Sequence, residues 1–216
     1  MDLKALLIDG LAKMPALPAD QSLLEKQLLQ YVMLVVKWNA THNLTAVKTP
    51  EAMITRHLLD SLSVLPYISG PSVVDVGSGG GFPGIPIALA RPEWQITLVE
   101  SNGKKAVFLK QVALELNLPN VLVVHQRVEK TANQGEINTV ISRAFSSLSR
   151  FTQLAGVLCE KNPESCRLVA MKGDFPDLEL MQLPPEFAVE QIIPVVVPGL
   201  KAKRHLIVMK CNQCAQ

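Results

Sequence analysis

The sequence predicts an α/β fold: a seven-stranded, mainly parallel sheet with an antiparallel last strand, preceded by a helical extension. Three observations carry this. From residue 72 the pattern changes from helical periodicity to short apolar, β-branched runs separated by helical stretches. The ten residues Asp75-Val-Gly-Ser-Gly-Gly-Gly-Phe-Pro-Gly84 follow one such run and precede an Ile/Ala/Leu-rich stretch, which marks a strand-to-helix turn. Finally, Pro198-Gly-Leu-Lys-Ala-Lys203 joins the last two runs and is too short for a helical crossover, so that pair must be antiparallel.

The elements follow in order. Leu3, Leu6, Leu7 and Leu11 recur at helical spacing, before a proline-containing break at 15–18. Ser22-Leu-Leu-Glu25 reads as a capping box opening a long amphipathic helix that reaches Trp38. A third helical stretch covers 51–65 and closes at Pro66 and Ser69-Gly70-Pro71. Strands are expected at 72–76, 94–100, 121–126, 138–142, 166–172, 188–196 and 204–210. Their near-continuous hydrophobicity suits a sheet covered on both faces. Helices are expected after Gly84, over Lys104–Leu116 and over Ser147–Leu158. The division is an N-terminal helical extension, 1–66, and a core, 67–216.

At 216 residues and 48% hydrophobic content the chain can bury one large core. A net charge of +2 gives no polycation signature, so any nucleic-acid surface must gather its cations on one face. No apolar run approaches the ~18 residues of a membrane span. Asp2, Asp9 and the lack of a basic leader argue against a signal peptide, and a cytoplasmic monomer is expected. Cys211-x-x-Cys214 has the spacing of half a zinc site or a redox pair. It lies at the C-terminus, away from any βαβ opening, and no histidine stands at ligand spacing from Cys159 and Cys166. Reduced thiols and no metal are the expectation.

Glycines 77, 79, 80 and 81 strip one loop of side chains, so its backbone can reach positive φ and close on a ligand at a helix N-terminus. Two nucleotide cofactors compete for it. Gly79-x-Gly81-x-x-Gly84 matches a dinucleotide fingerprint, but that fingerprint needs its first glycine directly after the strand, where Gly77 stands. Counted from Gly77, the third glycine position is Phe82, and Pro83 lacks the N–H a pyrophosphate would use. The other reading is Asp75-x-Gly77-x-Gly79-x-Gly81. An acid beside the loop repels a pyrophosphate and suits an ammonium, so Asp75 and the loop, Gly77 and Gly79 included, complement the amino-acid end of S-adenosylmethionine (SAM). Glu100 ends the run from Trp94, about twenty residues beyond the glycines, where an acid receives a ribose diol. The bland alternative is a solvated acid at a strand end. Seven strands with an antiparallel last pair then indicate a Rossmann-like, class I SAM-dependent methyltransferase.

The chain resembles the bacterial small-subunit rRNA guanine-N7 methyltransferase G family, formerly called glucose-inhibited division protein B. The likeness rests on an ordered set of motifs. Lys37-Trp-Asn39, Asn43-Leu-Thr45 and Arg56-His-Leu-Leu-Asp60-Ser precede the glycine loop. After it come Gly103-Lys-Lys-x-x-Phe-Leu109, Arg127-Val-Glu129, Ile141-Ser-Arg-Ala-Phe145, Met171-Lys-Gly173 and Arg204-His-Leu-Ile-Val208. The resemblance implies SAM contacts at Gly77, Phe82, Val128, Glu129 and Arg143. It also implies methylation of N7 of guanosine 527 in 16S rRNA, or in a precursor of the small ribosomal subunit.

Guanine N7 carries an exposed lone pair and needs no deprotonation, so no general base is expected and catalysis rests on in-line positioning and electrostatics. Arg143 is the expected catalytic residue, holding cofactor and target nucleotide. The alternative for it is a structural pairing with Asp75 or Glu129. Arg127, Arg143 and Lys172 follow strand ends on the cofactor side and would form a basic rim for phosphates, extended by Lys104 and Lys105. Lys37, Asn39, Arg56 and His57 are further RNA candidates, although Trp38 and Asn39 could instead dock helices. A small-molecule methyltransferase, or a non-catalytic SAM-binding regulatory protein, shares the loop and remains open at this point.

Overall fold

The computed structural model describes residues 2–131, 135–143, 145 and 147–212. Helices α1 (Leu3–Ala12) and α2 (Ser22–His42) lead into a short α3 (Pro50–Met53), a π-helical stretch Ile54–Leu59, and α4 (Asp60–Leu62). Thr49 caps α3 by accepting from the Ala52 amide at 3.3 Å, with Pro50 in the first turn. The capping box expected at Ser22 does not form. Ser22 is already helical, Gln21 precedes it without a side-chain cap, and Asp20 accepts the Ser22 amide at 3.0 Å. The helix also runs past Trp38, because nothing stops it before Asn43 takes the left-handed conformation (φ 47°).

Seven strands follow: β1 (Ser72–Val76), β2 (Gln95–Val99), β3 (Val121–Val124), β4 (Thr139–Ser142), β5 (Arg167–Lys172), β6 (Phe187–Pro194) and β7 (His205–Cys211). Their order is β3-β2-β1-β4-β5-β7-β6. The first five are parallel neighbours, and β7 lies antiparallel between β5 and β6. Helices α5 (Gly84–Ala90), α6 (Gly103–Glu115) and α7 (Leu148–Ala155) cross between strands. Asn102 starts α6 by accepting the Lys104 and Lys105 amides, and Ser147 caps α7 through Arg150. A short exposed helix, α8 (Asp177–Met181), follows β5 and was not expected from the sequence.

Alternation along the strands divides the core in two. Val73, Val169 and Met171 point to the layer of α1, α2, α5 and α6, while Val74, Leu168 and Ala170 meet α7. The N-terminal helices contribute Leu7, Leu11, Leu28, Tyr31 and Leu58 to the same apolar cluster as Ile85 and Phe108. They are packed onto the sheet assembly rather than beside it.

One expectation about the cysteines is corrected. Cys159 and Cys166 are joined as a disulfide, because the turn Gly156–Cys159 returns the chain to the start of β5 with the two Cα atoms 5.4 Å apart. Cys211 is a free thiol; Cys214 lies outside the described residues.

Candidate active site

The glycine loop leaves β1 with Gly77, Gly79 and Gly81 at φ 72°, 58° and 91°. At Gly81 a Cβ would come within 2.7 Å of both Ile85 and the Tyr31 hydroxyl, and at Gly84 it would strike Leu98. Sequence alone suggested free amides at a helix start. Instead most of the loop's donors are already engaged within the protein. The Gly77 and Ser78 amides bond the Val99 carbonyl, Gly79 bonds Glu100, Gly81 and Phe82 bond the Ser78 carbonyl, and Gly84 bonds Asp75. The main chain here is a rigid frame, and α5 behind it has only seven residues. Tyr31 of α2 braces the frame by donating to the Gly80 carbonyl.

Two buried acids support the loop from below. Asp75 is fully buried; Oδ2 accepts the Gly84 amide at 3.0 Å, and Oδ1 meets no donor among the described residues. Burial pushes its pKa up to about 7, against the pull of the Gly84 hydrogen bond. Glu100, at the end of β2, accepts the Gly79 amide at 2.8 Å through Oε2 and the Asn102 amide at 2.7 Å through Oε1. A carboxylate oxygen can accept twice, so these bonds leave acceptor capacity for a diol.

Beside this frame, outside the carboxyl ends of β1 to β4, opens a cleft of about 310 Å³ lined by Gly77, Val99, Ser101, Val128, Glu129 and Phe145. It sits where strand order reverses between β1 and β4, the crevice that open α/β sheets use for ligands. Val128 is buried, and Glu129 lies 3.9 Å from the largely exposed Arg127, which also borders the cleft.

Phe82 and Arg143 belong to a neighbouring wall. Phe82 is buried against Tyr31 (centroids 5.3 Å) and His57 (4.6 Å), and the Arg143 guanidinium lies over its ring at 5.2 Å. Arg143 pairs with neither Asp75 nor Glu129. Its partner is Asp60 at 3.3 Å, and Nη1 also faces the Arg56 carbonyl (3.3 Å) and His57 Nδ1 (3.2 Å). Asp60 holds a second arginine through Oδ1, Arg204 Nε, at 2.7 Å. Burial, then the Arg143 charge, lowers the His57 pKa to about 4, so the ring is neutral at pH 7; Nε2 meets the Thr45 hydroxyl at 2.6 Å. These groups surround a pocket of about 420 Å³ that includes Met171 and Gly173.

Asp60, Arg204 and Tyr31 were not singled out as site residues from sequence. Asp60 did give a signal: an acid inside His-Leu-Leu-Asp-Ser-Leu62 must be buried and therefore paired. Two expected RNA residues are turned to other work. Lys172 is largely buried, bonded to Glu179 at 2.7 Å and to the Phe145 carbonyl at 3.3 Å, so its charge is spent inside the protein. Asn39 is buried; it accepts the Thr45 amide at 2.9 Å and donates to the Val47 carbonyl, pinning the segment after α2. Among the described residues no His, Cys, Asp and Glu cluster could hold a metal, and no helix is long and apolar enough to cross a membrane.

Known proteins place this architecture. The chain is 63% identical over 212 residues to ribosomal RNA small subunit methyltransferase G of Nitrosomonas eutropha, covering 98% of this chain and 99% of that one. It is 48% identical over 198 residues to the protein of the same name in Pseudomonas aeruginosa, covering 91% and 90%. Among solved structures, the B. subtilis tRNA methyltransferase TrmK superposes with a TM-score of 0.54 at 13% identity, over 71% of this chain and 65% of that one. A precorrin-6y C5,15-methyltransferase from Geobacter metallireducens gives 0.51 at 12% identity, over 80% and 92%. Both likenesses speak to fold alone, the Rossmann-like fold of SAM-dependent methyltransferases. A family profile described as rRNA small subunit methyltransferase G matches residues 24–207, and the chain belongs to that family.

Proposed function

We propose that this protein transfers a methyl group from SAM to N7 of a guanosine, guanosine 527, in 16S rRNA of the small ribosomal subunit or its precursor, acting as a monomer in the cytoplasm. The observation that supports it best is the position of Arg143. It stands at the end of β4, stacked on Phe82 of the cofactor loop and anchored by Asp60 of the N-terminal segment. One guanidinium thus ties the glycine loop, through Phe82, to the second pocket, which it lines.

The residues present fit SAM. Asp75 Oδ1 is a buried acceptor lacking a donor, as an ammonium would require, and Glu100 retains capacity for the ribose. Val128 and Glu129 border the cleft where the adenine edge would lie. When bound, SAM supplies a methyl on a sulfonium, an electrophile that N7 can attack without losing a proton. The protein therefore needs no base. His57, the buried imidazole nearest Arg143, is hydrogen-bonded and neutral, and serves to hold the wall. Arg143 orients the target nucleotide through charge-assisted hydrogen bonds, and the rigid loop fixes the line of attack. The base must be unstacked to reach this pocket, because the deep groove of A-form RNA hides N7.

The test is incubation with methyl-labelled SAM and small-subunit rRNA, free and assembled, followed by chain scission at N7-methylguanine. Label at a single guanosine supports the reading. Transfer only to small molecules, or SAM binding without transfer, overturns it.

A further inference from the structure

Continuing from the Asp60 pocket, a groove of about 700 Å³ runs between the N-terminal helices and the connection joining β6 to β7. Thr49, Thr55 and Arg56 line one bank, and Leu200, Lys201 and Arg204 the other. Arg56 and Arg204 also line the pocket beside Asp60 and Arg143, so the groove continues out of the site rather than standing apart from it.

Its charge is one-sided. Lys48, Arg56, Lys201 and Lys203 are all exposed, and no ion pair within 4.0 Å engages any of them among the described residues. Glu51 is the acid on the lining. Arg204 differs, because Asp60 already neutralises it. Arg56 and Lys201 line the groove, while Lys48 and Lys203 are chain neighbours of its lining residues Thr49, Ala202 and Arg204; on a chain whose net charge is only +2, this is a local concentration of positive potential. The Thr49 hydroxyl, whose oxygen accepts the Ala52 amide, keeps its proton as a donor of the kind that contacts phosphate oxygens. The opposite rim, by contrast, offers Lys104 and Lys105 at the start of α6 and an Arg127 lying beside Glu129.

We propose that this groove is the track for the RNA strand flanking the target nucleotide, with Lys48, Arg56, Lys201 and Lys203 neutralising successive phosphates. This rests on the functional reading above. It divides the site in two: the cofactor enters from the β1–β4 side, and the RNA backbone leaves over the β6–β7 connection. The connection is well placed to act as a rigid bank, since Gly199 at φ 75° turns it and the Leu200 amide bonds the Val197 carbonyl at 3.0 Å.

The experiment compares the parent protein with two charge-reversed forms, K201E/K203E and K104E/K105E. Binding to naked 16S rRNA is measured over a salt series, with SAM affinity followed by calorimetry. K201E/K203E should weaken RNA binding about tenfold or more near 0.1 M salt and flatten the log–log salt slope by about 1.4, the change expected when two phosphates are no longer neutralised. SAM affinity stays as in the parent, because neither lysine borders the cofactor cleft. An unchanged affinity and slope overturns the proposal, and so does an equal or larger loss in K104E/K105E. A defect confined to assembled subunits would make the groove a ribosomal-protein contact, and would also overturn it. If the parent itself neither binds nor methylates rRNA, it is the functional reading that fails, a result separable from all of these.

Discussion

The two walls of the site hold buried acids in opposite ways. Under the cofactor loop, Asp75 is fully buried and receives a main-chain amide but no cation, and its proton is retained up to about pH 7. In the N-terminal wall, Asp60 is almost as deeply buried yet lies between two guanidinium groups, Arg143 and Arg204. One wall has an acceptor waiting for a positive charge; the other shares one carboxylate between two guanidinium groups and so is left with a net positive charge. On the proposed function, the first wall suits the cationic cofactor and the second the polyanion.

The largest expected effect breaks the link between the walls. Arg143→Ala should lower kcat on rRNA by about 10² to 10³, the scale of losing one preorganised donor at a reacting centre. SAM affinity should change far less, since the cleft beyond Gly77 is lined by other residues. Single-turnover methyl transfer beside calorimetry checks both, and unchanged turnover would remove Arg143 from the chemistry. Next comes the anchor. Asp60→Ala leaves two facing guanidinium groups without their shared counter-charge and should cost about 3 kcal/mol of stability, read by urea denaturation. A loss under about 1 kcal/mol, the range of an exposed pair, would mean that the arginines hold themselves.

How far sequence reached differs between the walls too. All seven strands were legible to within a few residues, because β-branched runs buried on both faces leave a continuous apolar signal. The glycine loop's conformation was legible for the same kind of reason: glycines at 77, 79 and 81 take positive φ, and Glu100 bonds the loop across a short sequence distance. The N-terminal wall was not. Asp60 meets Arg204 across 144 residues, and Arg56 four residues before it invites the reading of a local surface pair that the π-helical stretch does not make. Lys172 misled by position alone: following a strand end put it on the correct side, but Glu179 of α8, a helix with little apolar pattern, claimed its charge. Long-range ion pairs have no period, and so sequence spacing carries no trace of them.

A smaller effect sharpens the contrast by pH. Asp75 rises from the usual 3.8 to about 7, so between those values the native state binds a proton that the unfolded chain has released, and stability falls as pH rises through that window. His57 drops from 6.5 to about 4, so the unfolded chain binds the extra proton and stability rises as pH rises from about 4 to 6.5. The two slopes oppose one another. The parent should therefore change little over this range from these two groups, while Asp75→Asn should expose the His57 slope, at most about 1.4 kcal/mol per pH unit. Urea midpoints at about pH 4.5, 5.5 and 6.5 check it. Parallel curves for the two proteins would show that Asp75 keeps an ordinary pKa, and with it the idea of an acid waiting for a cation would fall.

The smallest effect probes where the two walls touch. Tyr31 is fully buried in α2; its ring lies against Phe82, and its hydroxyl donates to the Gly80 carbonyl. Tyr31→Phe keeps the ring and removes the donor, leaving a loop carbonyl short of a partner, at a cost of about 1 kcal/mol. If the N-terminal helices brace the cofactor loop, that loss should appear twice: as a lower urea midpoint and as a several-fold weaker SAM affinity, with rRNA binding unchanged. Weaker stability with unaltered SAM affinity would instead mean that the loop is held by its own hydrogen bonds to Val99 and Glu100, and that the extension contributes nothing to the cofactor side beyond packing.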